Sequence, residues 1–293
     1  MTEWNRTVVA RLRKLEKRCG WRWLSDLRAT GVKQVLDDLV TQEQLSVRTR
    51  THYFQTAIMF GDWLVATHRI PSNPFRARDA TGKLILRGRT PRMSDRRRVR
   101  RYLRAEEVRR LVAAAEAGPV VQRIPGPDRA MAIRLAVTTG LRRRELGSVT
   151  LNSFNFHKQP PTLFIAPGET KNGEGAELPL RSDVVQKFQS WLLAKGEVAD
   201  DKLLFPIANK RTAEMLRVDL ERADIPYRDQ HGRVVDWHAL RATFASLLIL
   251  AGEPLVTVQK LMRHSTPTLT ANLYATLGLT DFGTAVESLP EVG

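Results

Sequence analysis

Asp236-Trp237-His238-Ala239-Leu240-Arg241-Ala242-Thr243-Phe244 is the stretch from which the rest of this chain becomes readable. Asp236 is a side-chain acceptor placed just before an apolar-periodic run, so it is expected to cap a helix over Trp237 to Leu250. Leu240, Phe244, Leu247 and Leu248 recur at helical steps and are expected to bury one face. His238 and Arg241 stand three apart and then share the first exposed turn. Free backbone amides and the helix dipole favour an anion there. Read alone, the segment serves equally well as a polar helix end with a stray histidine.

Downstream, the apolar segment Leu255 to Met262 leads to His264. Thr266-Pro267 opens a further helix, threonine as cap and proline at the first position. Tyr274 lies on it beside Leu269, Leu273 and Leu277; by residue type alone, a packing tyrosine is the commoner case. Upstream, Asp128 is expected to cap a helix through Ala132, Ile133, Leu135, Ala136 and Val137, and Gly140 to turn the chain. In Gly140-Leu141-Arg142-Arg143-Arg144-Glu145-Leu146, Arg142 and Glu145 share a face at a helix start. A carboxylate there can hold a guanidinium fork toward phosphate oxygens, although one isolated Arg-x-x-Glu is more often a surface pair. Arg143 and Arg144 are expected on other faces. Thr162 to Ala166 and Ala176 to Leu180 read as two strands of a hairpin, joined through Lys171-Asn172-Gly173-Glu174-Gly175.

Two arginines, two histidines, a lysine and a tyrosine, with no metal cluster among the candidates, suffice to open a phosphodiester with a side-chain nucleophile. A phosphotyrosine bond conserves the energy of the broken strand, so rejoining needs no ATP. Each element is weak alone; order and segment type together carry the reading.

Composition agrees. The chain of 293 residues has 47 Lys+Arg against 31 Asp+Glu, a formal net charge of +16. That excess points to a polyanionic partner. One cysteine, Cys19, excludes an internal disulfide framework and fits a reducing compartment. The apolar run Phe244 to Ala251 is too short to span a bilayer, and the start has no apolar signal core. A soluble cytoplasmic protein, prokaryotic or phage-derived, with no membrane partner is expected.

Residues 1–80 are expected to form a small helical DNA-binding bundle. One helix holds Val8, Leu12 and Leu15, and a second holds Val35, Leu36 and Leu39. A third, capped by Ser46 and closed by Pro71 and Pro74, carries Phe54, Ala57, Ile58, Gly61, Leu64 and Val65. Arg48 and Arg50 are expected on its DNA side. Residues 81–101 lose apolar periodicity and read as a basic interdomain linker. Its Arg87, Arg89, Arg92, Arg96, Arg97 and Arg98 are expected to lie along a DNA backbone and release counterions. Residues 102–293 form the second domain, beginning with an amphipathic helix over Leu103 to Ala117 that has Glu106 and Glu107 in its first turn. The fold class expected is mainly α with a small antiparallel sheet.

At this point the chain resembles the tyrosine recombinases of the phage-integrase family. The resemblance rests on Thr138-Thr139-Gly140-Leu141-Arg142-Arg143-Arg144-Glu145-Leu146, on Thr170-Lys171-Asn172-Gly173 leading to Leu178-Pro179-Leu180, on His238-Ala239-Leu240-Arg241, and on Leu261-Met262-Arg263-His264-Ser265 leading to Tyr274. Thr51-His52-Tyr53, Phe60-Gly61-Asp62-Trp63-Leu64 and Ser72-Asn73-Pro74 resemble, more loosely, that family's core-binding domain, from which the sequence is expected to start, either as a simple enzyme or as one whose module for auxiliary arm sites lies outside this sequence. One departure stands out: the position before the second histidine, usually glycine in the family, is Arg263.

The resemblance implies a mixed α/β catalytic domain over 102–293 and no cofactor. It implies Tyr274 as nucleophile, Arg142 and Arg241 as clamps, and Lys171 as general acid. His238 is implied as general base, His264 as a hydrogen-bond donor to phosphate, and Glu145 as support. It further implies double-stranded DNA with inverted half-sites, a homotetramer on DNA, and room for accessory DNA-bending proteins. A tail helix bearing Leu279, Phe282, Val286 and Leu289 would dock on a neighbouring subunit or pack in cis. Three alternatives compete: a type IB topoisomerase, in which lysine is typical where His238 stands; a metal-dependent nuclease built on Asp128 and Glu169; and a non-catalytic DNA-binding protein of the same fold.

Overall fold

The computed structural model describes residues 3–88, 95, 98–170 and 173–277, with residues 3 and 274–277 as backbone only. The chain divides into two compact units, Met1–Arg97 and Arg98–Gly293.

The first unit is a helical bundle of α1 (Glu3–Cys19), α2 (Ala29–Thr41) and α3 (Val47–Ala66). Leu15, Val32, Leu36, Leu39, Ala57, Leu64, Phe75 and Leu86 form its core. Ser46 caps α3, its hydroxyl accepting from the Thr49 amide at 3.1 Å. Beyond α3 the chain is anchored by Asn73. Its amide donates to the Ile58 carbonyl at 3.0 Å and to Asp62 at 2.8 Å, while its oxygen accepts from the Phe75 amide at 2.9 Å. This close approach requires glycine at 61, where a Cβ would sit 2.1 Å from the Asn73 oxygen. The buried Leu86 shows that the chain past residue 80 still packs in this unit.

The second unit is mainly helical with one small sheet. Its helices are α4 (Ala105–Glu116), α5 (Gly126–Thr139), α6 (Arg143–Gly147), α7 (Ser182–Lys195), α8 (Thr212–Arg222), α9 (Trp237–Leu250), α10 (Leu255–Met262) and α11 (Pro267–Leu277). β1 (Phe154–Asn155), β2 (Thr162–Ile165) and β3 (Ala176–Pro179) form an antiparallel sheet in that order, with Leu163 opposite both Phe154 and Leu178. The two expected strands are β2 and β3; β1 is too short to show an alternation. Helix α5 is the axis of the unit, buried nearly all round and packed on α4, α7 and α9.

Asp128 does not cap α5. The helix starts two residues earlier, at Gly126, and Asp128 instead accepts from Trp191 Nε1 at 3.0 Å and Lys195 Nζ at 2.6 Å. One residue on, the fully buried Arg129 meets Asp219 on α8 through two bonds of 2.9 and 2.7 Å.

Residues Arg98 to Arg101, read as linker, belong to this second unit. Val234 donates to the Val99 carbonyl at 2.8 Å, and the Arg101 amide to the Val234 carbonyl at 3.1 Å. Strand-like pairing of this kind places Arg100 beside Asp236, ahead of α9.

Candidate active site

The site is assembled from helix ends. Gly140 terminates α5 in the left-handed region at φ 64°, which suits glycine, and a Cβ there would lie 2.5 Å from the Phe244 ring. Arg142 then caps α6 while Glu145 occupies its third position. The Glu145 carboxylate accepts the Arg142 amide at 2.8 Å and the Arg142 guanidinium at 2.6 Å. The expected pairing is therefore present: Glu145 caps the Arg142 amide, the glutamate half of a capping box, and also aims the guanidinium.

Asp236 caps α9 as expected, accepting from the Ala239 amide at 3.1 Å, and also takes Arg100 Nε at 2.6 Å. Burial raises the Asp236 pKa, but Arg100 and the Ala239 amide outweigh it and hold the carboxyl below its usual range.

Sequence reasoning placed Arg241 with His238 on an exposed turn. His238 is exposed, but Arg241 is 3 % exposed. Its Nη1 donates to the Gly140 carbonyl and its Nη2 to the Met262 carbonyl. Those two carbonyls close α5 and α10, whose C-termini carry partial negative charge and lack intrahelical donors. Arg241 joins both ends by this means, and no pattern local to 238–241 reports it.

His264 follows α10, its Nδ1 2.9 Å from the Thr270 hydroxyl on α11, which is itself fully buried. Between α10 and His264 stands Arg263, at φ 52° and ψ 45°. That left-handed conformation costs a non-glycine residue roughly 1 kcal/mol. In return the Arg263 guanidinium donates to Glu145 at 2.8 Å. Two arginines therefore grip one buried carboxylate, which is 1 % exposed.

Arg100, Arg142, Arg144, Glu145, Asp236, His238 and Arg241 line a pocket of 840 Å³, while Arg263 and His264 line a second one. Thr170, which closes the 3-10 turn Pro167–Glu169 beyond β2, also lines the first pocket. Around Glu145 the charge is lopsided: Arg142 and Arg263 both bond this one carboxylate, and Arg241 adds a third positive charge within its field. Burial pushes the Arg241 pKa down to about 9, aided by Arg142 and Arg263 and opposed by Glu145. Burial, then Arg142, also lowers Arg263. Burial raises Glu145, yet Arg263 and the Arg142 bonds hold it below the usual carboxylate range. Desolvation, then Arg241, Arg142 and Arg263, push His264 down to about 4. His238 is likewise pushed to about 4, by desolvation and then by Arg100 and Arg241. Because its side chain is solvent-exposed, the neighbouring cations are the firmer cause of that direction. Both imidazoles are neutral at pH 7, each with one donor and one acceptor nitrogen. A surplus of buried positive charge beside neutral imidazoles suits an anion.

Four expected residues line the first pocket, Arg142, Glu145, His238 and Arg241; His264 lines the second one and feels the charges of Arg241 and Arg142. Tyr274 falls on the backbone of α11, but its side chain lies outside the described residues, as does Lys171. The expected DNA contacts scatter. Arg48 and Arg98 are exposed. Arg50 is tied to Asp37 at 2.9 Å and to the Arg87 carbonyl, and Arg87 to Asp79 at 3.2 Å, so both serve the first unit's own structure. Arg89, Arg92, Arg96 and Arg97 lie outside the described residues, as does the tail from residue 278. Two residues were missed, Arg100 and Arg263. Asp128 is bound to Trp191 and Lys195 and is absent from the pocket wall, which separates it from Glu169. Among the described residues no three His, Cys, Asp or Glu gather as a metal site, and no helix is long and apolar enough to cross a membrane.

The sequence model described as the phage integrase family matches residues 101–278. The tyrosine recombinase XerC of Erythrobacter litoralis (strain HTCC2594) is 31 % identical over 181 residues, covering 60 % of this chain and 55 % of its own length. A XerC-like tyrosine recombinase of Caldanaerobacter subterraneus subsp. tengcongensis is 38 % identical over 98 residues, covering 33 % of this chain and 23 % of its own length. The chain thus spans about half or less of the curated relatives it matches. Among solved structures, the Tn1549 transposon integrase in complex with a circular intermediate DNA aligns over 99 % of this chain and 95 % of its own. Its TM-score is 0.67 at 19 % identity. The XerH site-specific recombinase bound to a palindromic difH substrate aligns over 90 % and 73 %, with a TM-score of 0.60 at 17 % identity. These likenesses show a shared fold.

Proposed function

This chain belongs to the phage integrase family, and from that premise we propose that it is a site-specific DNA recombinase working through a 3'-phosphotyrosyl intermediate. One observation supports the reading most: the Arg142 and Arg241 guanidiniums and the neutral His238 imidazole line a single pocket, and Arg241 and His264 both feel the charges of Arg142 and Arg263, which suits a phosphodiester. Arg142 and Arg241 bind the non-bridging oxygens and offset the charge that develops in the transition state. Arg241 is anchored through its carbonyl bonds and Arg142 through Glu145, so neither must reorganise as the reaction proceeds. His238, neutral and facing the pocket, accepts the Tyr274 proton as the phenolic oxygen attacks phosphorus. His264, oriented by Thr270, donates to a phosphate oxygen. Lys171 protonates the leaving 5'-oxygen. Attack by a 5'-hydroxyl of a partner strand reverses the chemistry and exchanges strands, with neither metal nor ATP.

The Tn1549 integrase bound to a circular intermediate DNA and XerH bound to a palindromic difH substrate support DNA as the substrate here. Exchange between two duplexes requires four such sites, hence a homotetramer on inverted half-sites, with accessory DNA-bending proteins as further partners. The strongly basic chain fits that polyanion.

The test is a covalent trap on nicked half-sites drawn from DNA flanking the gene. Denaturing electrophoresis is expected to show a protein–DNA adduct that survives chelator and disappears in Tyr274→Phe, with binding nearly unchanged. An adduct that persists in Tyr274→Phe removes Tyr274 from the role. Relaxation of supercoiled DNA lacking any site would instead favour the topoisomerase reading.

A further inference from the structure

Arg263 is a poor choice if its purpose is stability. It holds a left-handed backbone that glycine would adopt freely. Its Nε and Nη1 are buried with no hydrogen-bond partner among the described residues, a further cost. It also adds positive charge to a place already crowded by Arg142 and Arg241. What it supplies is specific. Glu145 has one oxygen bound to the Arg142 guanidinium, while the other accepts both the Arg142 amide and Arg263 Nη2. Without Arg263 that second oxygen keeps only one short-range bond, and the carboxylate that aims Arg142 is freer to turn.

We infer that Arg263 is a positioning residue for phosphodiester cleavage: its guanidinium completes the coordination of Glu145 and thereby holds the Arg142 fork on the scissile phosphate. The inference rests on the recombinase reading above and deepens it. Arg263 touches no reacting atom; it acts through Glu145. The arrangement also substitutes for backbone comfort, since a side chain at this position converts a strained helix end into a tie between the α10 terminus and the α6 cap.

The experiment compares wild type, Arg263→Gly, Arg263→Lys, Glu145→Gln and the double variant Arg263→Gly/Glu145→Gln, in single-turnover adduct formation on nicked half-site DNA. Loss of an outer partner of this kind is expected to slow adduct formation about tenfold in Arg263→Gly. The Kd for the same DNA should stay within about twofold, and the thermal midpoint should not fall by more than about 2 °C, since glycine relieves the left-handed strain. Arg263→Lys, which keeps a donor and the charge, should recover most of the rate. The double variant should be no slower than Glu145→Gln alone, the mark of two residues acting in series.

Wild-type rate in Arg263→Gly overturns the inference while leaving the recombinase reading intact. A rate loss that merely tracks weaker DNA binding or a lower thermal midpoint also overturns it, because that is the signature of a structural pair. Additive losses in the double variant overturn the route through Glu145. Absence of adduct in the wild type overturns the recombinase reading and this inference with it.

Discussion

Two regions of the second unit use the same chemistry, arginine against a buried carboxylate, to opposite ends. Between α5 and α8, Arg129 faces Asp219 one to one. Every nitrogen of that guanidinium is satisfied: Nε and Nη2 by Asp219, Nη1 by the carbonyls of Pro119 and Ile124 at 2.6 and 2.9 Å. The pair is closed, balanced and remote from the pocket. At the α6–α9–α10 junction, Arg142 and Arg263 both bond Glu145 with Arg241 adding a further positive charge, and two buried nitrogens of Arg263 have no partner among the described residues. A balanced pair can only hold the fold together. An unbalanced cluster keeps free energy in reserve for an anion, because only an anion relieves the repulsion among its cations.

Breaking the closed pair should have the largest effect. Asp219→Ala leaves Arg129 buried and uncompensated and is expected to destabilise the protein by about 3–5 kcal/mol, read from denaturant midpoints. At a temperature where the variant remains folded, adduct formation should be near normal. Breaking the open cluster should do the reverse. Arg142→Ala is expected to slow adduct formation about a hundredfold or more while leaving stability within about 1 kcal/mol of wild type. A variant that loses stability and keeps its rate would assign Arg142 to the fold.

Sulfate, a stand-in for the phosphodiester, sharpens the contrast with a smaller effect. At about ten times its Kd, a bound anion adds about 1.4 kcal/mol of stability. Sulfate also stabilises proteins generally by exclusion, so the informative quantity is the excess over Arg142→Ala, which should vanish if the cluster is the binding site. An equal gain in both proteins would deny the cluster its anion.

The smallest effect is on pH. His238 and His264 have folded pKa values of about 4, below the ordinary 6.5. Below about pH 6.5 the unfolded chain therefore binds more protons than the folded one, so their contribution to stability falls as pH drops from 6.5 through 4. A bound anion raises both values, and the acid-side decline of the thermal midpoint should become shallower in sulfate. The same slope with and without sulfate would place the imidazoles away from the anion.

Local pattern carried far in this chain, and its limits are physical. Ser46 and Asp236 act as caps, the strands at 162–165 and 176–179 pair, and Arg142 meets Glu145, because each depends on residues within a few positions of one another. Asp128 was misread for want of distant partners: nothing near it in sequence announces Trp191 and Lys195. Arg100 was folded into the linker because its charge matched its neighbours, whereas its pairing with Asp236 spans 136 positions.

Residue types, spacing and helix caps by themselves determined where α9 and α6 begin and that Arg142 pairs with Glu145. The tertiary structure alone decided that Arg241 is buried across two helix ends, that Arg263 takes glycine's conformation to reach Glu145, and that one carboxylate serves the guanidiniums of both Arg142 and Arg263. Caps and turns are closed by near neighbours in the chain, so sequence reports them. Burial and charge balance are sums over everything packed nearby, and those sums exist only once α5, α6, α9 and α10 have met.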